Sequence, residues 1–439
     1  MTTYRFWSGL KTIGGNIVEI RTEKARVLCD FGLSVAGQLP EDTEGLSEIE
    51  YLIQTGNLPA IKELYPIESF KELDKTFSAQ LPELETVIFI SHLHLDHMGG
   101  LRYLSENVKV YLSEEAYKLY NELVAINEDK AVDCQLILFD YTESITIRDI
   151  VVSPKPSDHD SVGCSAFFIE TPTLKIIHSG DFRLSGKYPE NVWKWAHEAR
   201  EWEIDVFLTE GTSFSFNEDH EKKESQFAER KQLTEITLLD ELADLIKVNM
   251  EKLFFFNPYI RNVNRMFDVD KVVKHQNRIM VWEANYAQML HAFYPEMTWT
   301  VLEETIDMKN LPEFVEKTIS LDQLKQDPGA FVLQNSFKNI QYLNEFTQGV
   351  YLHSNGEPLG EYDFRYAELK NYLEQQHIEF ISLGASGHAT QESLLKVAKL
   401  VDADYTIPWH TLNPEIFYES IKANDLGSFI PEYNKDYEV

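Results

Sequence analysis

Cysteine is scarce in this chain of 439 residues, with only three present. Cys29, Cys134 and Cys164 are scattered, odd in number and without C-x-x-C spacing. That excludes a disulfide framework and a cysteine zinc site, and it fits a reducing cytoplasm. No segment approaches the roughly 18 consecutive apolar residues of a membrane span. Met1-Thr2-Thr3-Tyr4-Arg5-Phe6-Trp7 lacks the basic start and apolar stretch of a signal peptide, so a cytoplasmic protein with no membrane partner is expected. Fixed-period repeats and low-complexity tracts are also missing. Positive charge is short: 40 basic residues face 72 acidic ones, for a net charge of −32. Such a surface excludes broad, non-specific coating of nucleic acid. It confines polyanion binding to a local site where metal ions or a few placed Arg and His reverse the field.

Apolar residues are plentiful, at 43% with 12% aromatic, enough for a sizeable core, and the length calls for two or more domains. Strand-like runs appear at Gly15–Ile20, Ala25–Cys29, Thr86–Ile90, Val108–Leu112, Gln135–Phe139, Ala166–Ile169, Lys175–Ile177 and Val206–Leu208. Helical stretches such as Ala60–Leu64 and Glu114–Val124 interleave with them, which points to a layered α/β fold. Asn217 to Lys231 is dense in charge and reads as solvated. A long helix is expected over Leu233–Met250, followed by a buried strand at Leu253–Pro258, with strands and helices alternating to about Ser382. The division expected is 1–210, an insertion over 211–383, and a return to the first unit over 384–439.

The informative segment is Ser91-His92-Leu93-His94-Leu95-Asp96-His97-Met98-Gly99-Gly100, directly after the Thr86–Ile90 run. On a helix His92 and His94 would diverge by about 200°, whereas in an extended segment they point the same way. Imidazoles and a carboxylate gathered at a strand end suit zinc or manganese, and the two glycines are expected to let the chain turn tightly beneath the site. With 13 His and 72 acidic residues in the chain, H-x-H-x-acid-H arises by chance in roughly one such sequence in five hundred. Further ligands should come from later strand ends. His159 in Ser157-Asp158-His159-Asp160-Ser161 and Asp181 in His178-Ser179-Gly180-Asp181 are the candidates.

In this order, Asp30, His92-x-His94-x-Asp96-His97, His159 and Asp181 resemble the motifs of the metallo-β-lactamase fold. The resemblance implies a four-layer αββα sandwich holding two divalent metal ions, zinc or manganese. By the match, His92, His94 and His159 bind one ion, Asp96 and His97 the other, and Asp181 bridges them. Asp30 holds a histidine ring from behind. The best closing ligand is His410 in Thr406-Ile407-Pro408-Trp409-His410, 229 residues beyond Asp181. A domain-sized gap there resembles the β-CASP branch, the nucleases of the RNase J and pre-mRNA 3′-end processing type. Glu210, Ser386-Gly387-His388 and His410 match three further motifs of that branch, and Asn262-Val263-Asn264-Arg265 resembles its Asn-Ile-x-Arg segment.

The function implied is phosphodiester hydrolysis, most directly of single-stranded RNA. The ion pair would lower the pKa of a bridging water toward neutrality. Asp96 would orient the nucleophile, while His388, kept protonated by Glu210, would give the leaving 3′-oxygen its proton. Ser386, Thr390, Asn262 and Arg265 are the expected phosphate contacts, with Arg265 drawing the strand into a cleft between the two units. The alternatives are a DNA-directed nuclease of the same branch, a small-molecule ester or lactone hydrolase on the same metals, and a non-catalytic scaffold. Exo or endo mode is not encoded in these motifs.

Overall fold

The run expected as a strand at Thr86–Ile90 forms Glu85–Phe89, with parallel partners on both sides. Its residues alternate between two cores: Ile88 packs with helices, whereas Val87 and Phe89 face a second sheet. Burial on both faces explains why the strand reads as continuously apolar rather than alternating. The chain is described here by a computed structural model that covers residues 1–33, 43, 45–71, 84–215, 232–361 and 363–438. The charge-dense stretch Asn217 to Lys231, expected to be solvated, lies outside the described residues, as does His220.

The first sheet has six strands in the order Thr3–Ser8, Ile17–Arg21, Ala25–Cys29, Glu85–Phe89, Lys109–Ser113, Gln135–Phe139. The second runs Tyr405–Trp409, Val206–Glu210, Lys175–His178, Ser165–Glu170, Ile150–Pro156, Ile145–Ile147. Tyr4, Phe6, Val27, Phe89, Phe167, Ile176 and Trp409 fill the space between them. Helix Glu114–Ala125 covers the outer face of the first sheet through Ala116, Leu119 and Leu123. Helices Pro189–Trp202, Gln391–Val401 and Pro414–Lys422 cover the second through Trp195, Val397 and Phe417. These are the four layers of the expected αββα sandwich.

Between Val206–Glu210 and Tyr405–Trp409 in the chain a third sheet is inserted. Its seven strands are all parallel, in the order Val315–Ile319, Trp299–Leu302, Ile279–Trp282, Phe331–Gln334, Phe254–Pro258, Gly349–Ser354, Ile378–Ser382. The interior strand Phe254–Pro258 is buried throughout. The helix expected over Leu233–Met250 spans Glu235–Val248, because Thr234 caps it: its hydroxyl accepts from Thr237 N and the Thr237 hydroxyl accepts from Thr234 N. The strand Tyr405–Trp409 then returns to pair in parallel with Val206–Glu210, setting Trp409 opposite Glu210. Sheet pairing thus brings the residue after Trp409 beside a carboxylate about 200 positions earlier. No helix among the described residues is long and apolar enough to cross a membrane.

The glycine expectation is corrected. Gly99 has φ −61° and opens a short 3-10 helix, Gly99–Tyr103, so neither it nor Gly100 makes a tight turn. Gly100 is required because a side chain there would press on Phe31 at 2.7 Å. Gly32 carries the tighter constraint, since a Cβ would collide with the Asp96 backbone carbonyl.

Candidate metal centre

The ends of six strands from the first two sheets converge on one point, the usual location for ligands in sheets with parallel strands. After Phe89 the chain bends at Ser91, His94 is extended (φ −76°, ψ 147°), and helix Leu95–Met98 begins only then. The extended stretch brings the His92 and His94 rings to 4.6 Å between centroids, while the helical turn swings His97 back to 4.0 Å from His92. Asp30 and His410 each follow a strand directly and adopt left-handed backbone, with φ of 62° and 52°. Outside glycine that conformation costs on the order of 1–3 kcal/mol, and here it belongs to two residues that face the centre.

The donor atoms sort into two main groups. Ligand atoms of His92, His94 and His159 lie within 4.8 Å of one another, and so do those of Asp96, His97, Asp181 and His410. Asp181 Oδ2 is 3.1 Å from His97 Nε2, 3.6 Å from His410 Nε2, 3.8 Å from His92 Nε2 and 4.0 Å from His159 Nε2, so it stands between the groups. His410 Nε2 is 2.9 Å from Asp96 Oδ2, and its Nδ1 is 2.7 Å from the Thr212 hydroxyl. Asp30 sits behind His97, with Oδ2 2.7 Å from Nδ1, and accepts from Ser91 N and Ser91 Oγ. That contact leaves His97 Nε2 aimed at the centre, the usual role of a carboxylate behind a ligating imidazole.

Burial and charge polarise the cluster. Burial alone would lower the His97 pKa, yet Asp181, Asp96 and Asp30 outweigh it and hold the value well above the ordinary one. Burial and the imidazoles of His97, His94 and His159 keep His92 well below its usual range. Burial also lowers His159, to about 3. His92 Nε2, His94 Nε2 and Asp181 Oδ1 are buried without a hydrogen-bond partner. Such atoms gathered at one point, on imidazole and carboxylate donors, are what a bound cation would satisfy, and the mixed set suits a divalent one.

His388 comes from the loop after Ile378–Ser382 and stands at the rim, with Nδ1 3.7 Å from both Asp181 Oδ2 and Glu210 Oε2. Burial opposes its charge, but the Glu210 carboxylate outweighs that and the pKa rises to about 9. Glu210 is fully buried and accepts from Thr212 N at 2.8 Å. Ser386 Oγ accepts from His388 N, and Thr390 caps helix Gln391–Val401 by accepting from Ser393 N. Both hydroxyls therefore already have local partners.

Asn262 and Arg265 are corrected as phosphate contacts. Arg265 is 2% exposed, and every donor it has is used on Glu235, Ser354, Asn355 or Ala385. Asn262 accepts from Arg265 N and donates to Glu235. An arginine buried and saturated in this way offers nothing to a phosphate. His178 is also fully buried, its ring 4.8 Å from Trp409, and it accepts from Gly180 N.

Sequence reasoning missed three residues. Asp160 Oδ1 is buried, 3.1 Å from His94 Nε2 and 3.4 Å from His159 Nε2. Its one signal was an acidic residue directly after a candidate ligand. Tyr259, directly after the strand Phe254–Pro258 of the third sheet, sets its ring 5.4 Å from His94. Arg261 reaches across to donate to the Leu93 carbonyl at 2.9 Å and to Asp129 at 3.0 Å. Nothing in the sequence pattern marks either contact, since both join residues more than 130 positions apart.

Residues 71–226 match the family described as Beta-lactamase superfamily domain. The chain is similar to Ribonuclease J of Mycoplasma genitalium, 22% identical over 433 residues that cover 92% of this chain and 67% of the relative. It is also similar to Endoribonuclease ysh-1 of Neurospora crassa, 26% identical over 191 residues, 37% of this chain and 20% of that one. A crystal structure of a protein of unknown function from Enterococcus faecalis V583 superposes over 100% of both chains, with a TM-score of 0.84 at 28% identity.

Proposed function

Because the chain carries a metallo-β-lactamase superfamily domain, we propose that it is a metal-dependent phosphodiester hydrolase of the β-CASP type, a ribonuclease acting on single-stranded RNA. The two names Ribonuclease J and Endoribonuclease ysh-1 among its relatives support that substrate. A single observation carries the reading beyond a generic metallohydrolase. His388, from the loop that follows the inserted sheet, stands 3.7 Å from both Asp181 and Glu210. Hydrolysis of an ester with a good leaving group needs no such proton donor, whereas departure of a sugar 3′-oxygen does.

In this reading His92, His94 and His159 hold one divalent ion, Asp96, His97 and His410 hold the other, and Asp181 serves both. Zinc suits the imidazole-rich donor set, with manganese as the alternative. Bound there, the ions would supply water activation and neutralisation of the non-bridging phosphate oxygens. The protein's own groups do the rest. Asp30 fixes the His97 ring, Asp96 orients the attacking water, and His388 gives a proton to the leaving oxygen. Glu210 keeps that proton in place. The working units are residues 1–210 with 384–439, and 211–383, with substrate between them. The three unpaired cysteines fit a cytoplasmic setting.

The test uses 5′-monophosphate-labelled single-stranded RNA and the matching DNA, with zinc or manganese, on wild type, Asp181→Asn and His388→Ala. RNA cleavage that falls about 10³-fold or more in both variants is expected, because several kcal/mol of transition-state stabilisation is lost. Preference for DNA would move the assignment to a DNA nuclease. Bound metal with no cleavage of either strand would move it to a small-molecule hydrolase or a scaffold.

A further inference from the structure

Glu235 opens the first described helix of the inserted unit and is 7% exposed. Its Oε1 is shared by two buried guanidiniums, Arg183 Nη2 at 2.9 Å and Arg265 Nη2 at 2.7 Å. Each arginine then spends another donor on one of two consecutive carbonyls. Arg183 Nη1 donates to Ser386 O at 3.2 Å, and Arg265 Nη2 donates to Ala385 O at 3.2 Å. Those carbonyls belong to the loop that carries His388. The remaining contacts reach the other loops of the centre. Arg183 lies two residues after Asp181, and its Nε is 3.5 Å from Asp158 Oδ1, next to His159. Arg265 Nη1 donates to Ser354 O and to Asn355 Oδ1, at the end of a strand of the third sheet.

We infer that Glu235 is a positioning residue: through Arg183 and Arg265 it fixes the Ala385–Ser386 backbone and so holds His388 at its distance from Asp181 and Glu210. The physical reason is the geometry of the fork. A guanidinium presents its donors in a rigid plane, so one arm pinned to a carboxylate sets the direction of the other. With two forks pinned to the same oxygen, consecutive carbonyls of the loop are fixed from two sides, by the inserted unit and by the lactamase unit. A neutral side chain at 235 would leave two buried cations sharing no anion, and the loop would be free to settle elsewhere. The inference rests on His388 acting in the proposed reaction, and on the bond network itself.

Glu235→Gln and Arg265→Lys are the variants to make. The lysine keeps the buried charge but loses the fork that reaches Ala385 O. Hydrogen exchange followed by mass spectrometry reads the loop without needing activity. Amides of 383–390 should exchange at least tenfold faster in both variants, with the strand Val206–Glu210 unchanged. Steady-state RNA cleavage should show kcat down at least tenfold with KM within twofold, and two divalent ions still bound. Glu235→Gln combined with His388→Ala should be no slower than His388→Ala alone, because both act through one proton donor.

Unchanged exchange in the loop would overturn the inference whatever the activity. So would double-variant losses that multiply. Accelerated exchange in the variants, with a wild type that cleaves no RNA, would retain the positioning role and overturn the ribonuclease reading instead. If Glu235→Gln fails to fold, Arg265→Lys carries the same comparison.

Discussion

At the metal centre, His92 Nε2, His94 Nε2 and Asp181 Oδ1 are buried with no hydrogen-bond partner, whereas close by every nitrogen of Arg265 has an acceptor. Both regions bury charge at the junction of the same loops. One leaves lone pairs that a cation would satisfy; the other closes on itself through Asp158, Arg183, Glu235 and Arg265. Saturation separates a residue available to a ligand from one that builds the frame, and it is the reason Arg265 leaves the substrate list while Asp160 joins the centre.

The widest gap should appear in stability with and without metal. Arg265→Ala breaks a buried ion network and should cost about 3–5 kcal/mol of unfolding free energy, whether or not a chelator is present. Wild type saturated with metal at a hundred times its dissociation constant should lose about 2.7 kcal/mol on chelation. Urea midpoints measured both ways test the contrast. It breaks if the Arg265→Ala loss falls below about 1 kcal/mol or disappears under chelation.

Acid titration sharpens the same comparison on the frame side. Burial alone would raise the Glu235 pKa, but Arg265 and Arg183 outweigh it and bring the value from 4.5 to about 2. A depressed carboxylate stabilises the fold above its unfolded value and loses that contribution as pH falls through the folded one. The stability difference between wild type and Glu235→Gln, measured in chelator, should therefore shrink between pH 4.5 and pH 2, by about 3 kcal/mol. A difference that stays constant over that window would show that the carboxylate is not the group that matters.

The smallest effect belongs to Asp160. Asp160→Asn keeps the shape but removes a charge beside His94 and His159, and it should weaken divalent-metal binding about 10–100-fold. Competition against a chromophoric chelator measures this directly. Affinity within twofold of wild type would take Asp160 out of the centre.

Local chemistry made a large part of this legible. His92-x-His94-x-Asp96-His97 needs only an extended stretch that turns helical at Leu95 to converge, and both conformations are short-range events. Strand positions were readable because burial on both faces leaves long apolar runs, whereas the helix expected over Leu233–Met250 moved by two residues at each end, its start set by the Thr234 cap. Gly100 was misread because a glycine used for close approach looks, in sequence, like a glycine used for a turn. Arg265 was misread because a motif position does not reveal whether a guanidinium will be saturated. That depends on Glu235, 30 positions away, and Ala385, 120 positions away.

The sequence by itself therefore determined the donor types, their order along strand ends and the alternation of strand and helix, because spacing and burial pattern are written locally. Only the tertiary structure decided which donors meet. Pairing of Val206–Glu210 with Tyr405–Trp409 brings Glu210 next to His410 across the whole inserted sheet. The bridge from Glu235 through two arginines to the His388 loop exists only once four separate segments are packed together, because buried charge chooses its partners by proximity in space.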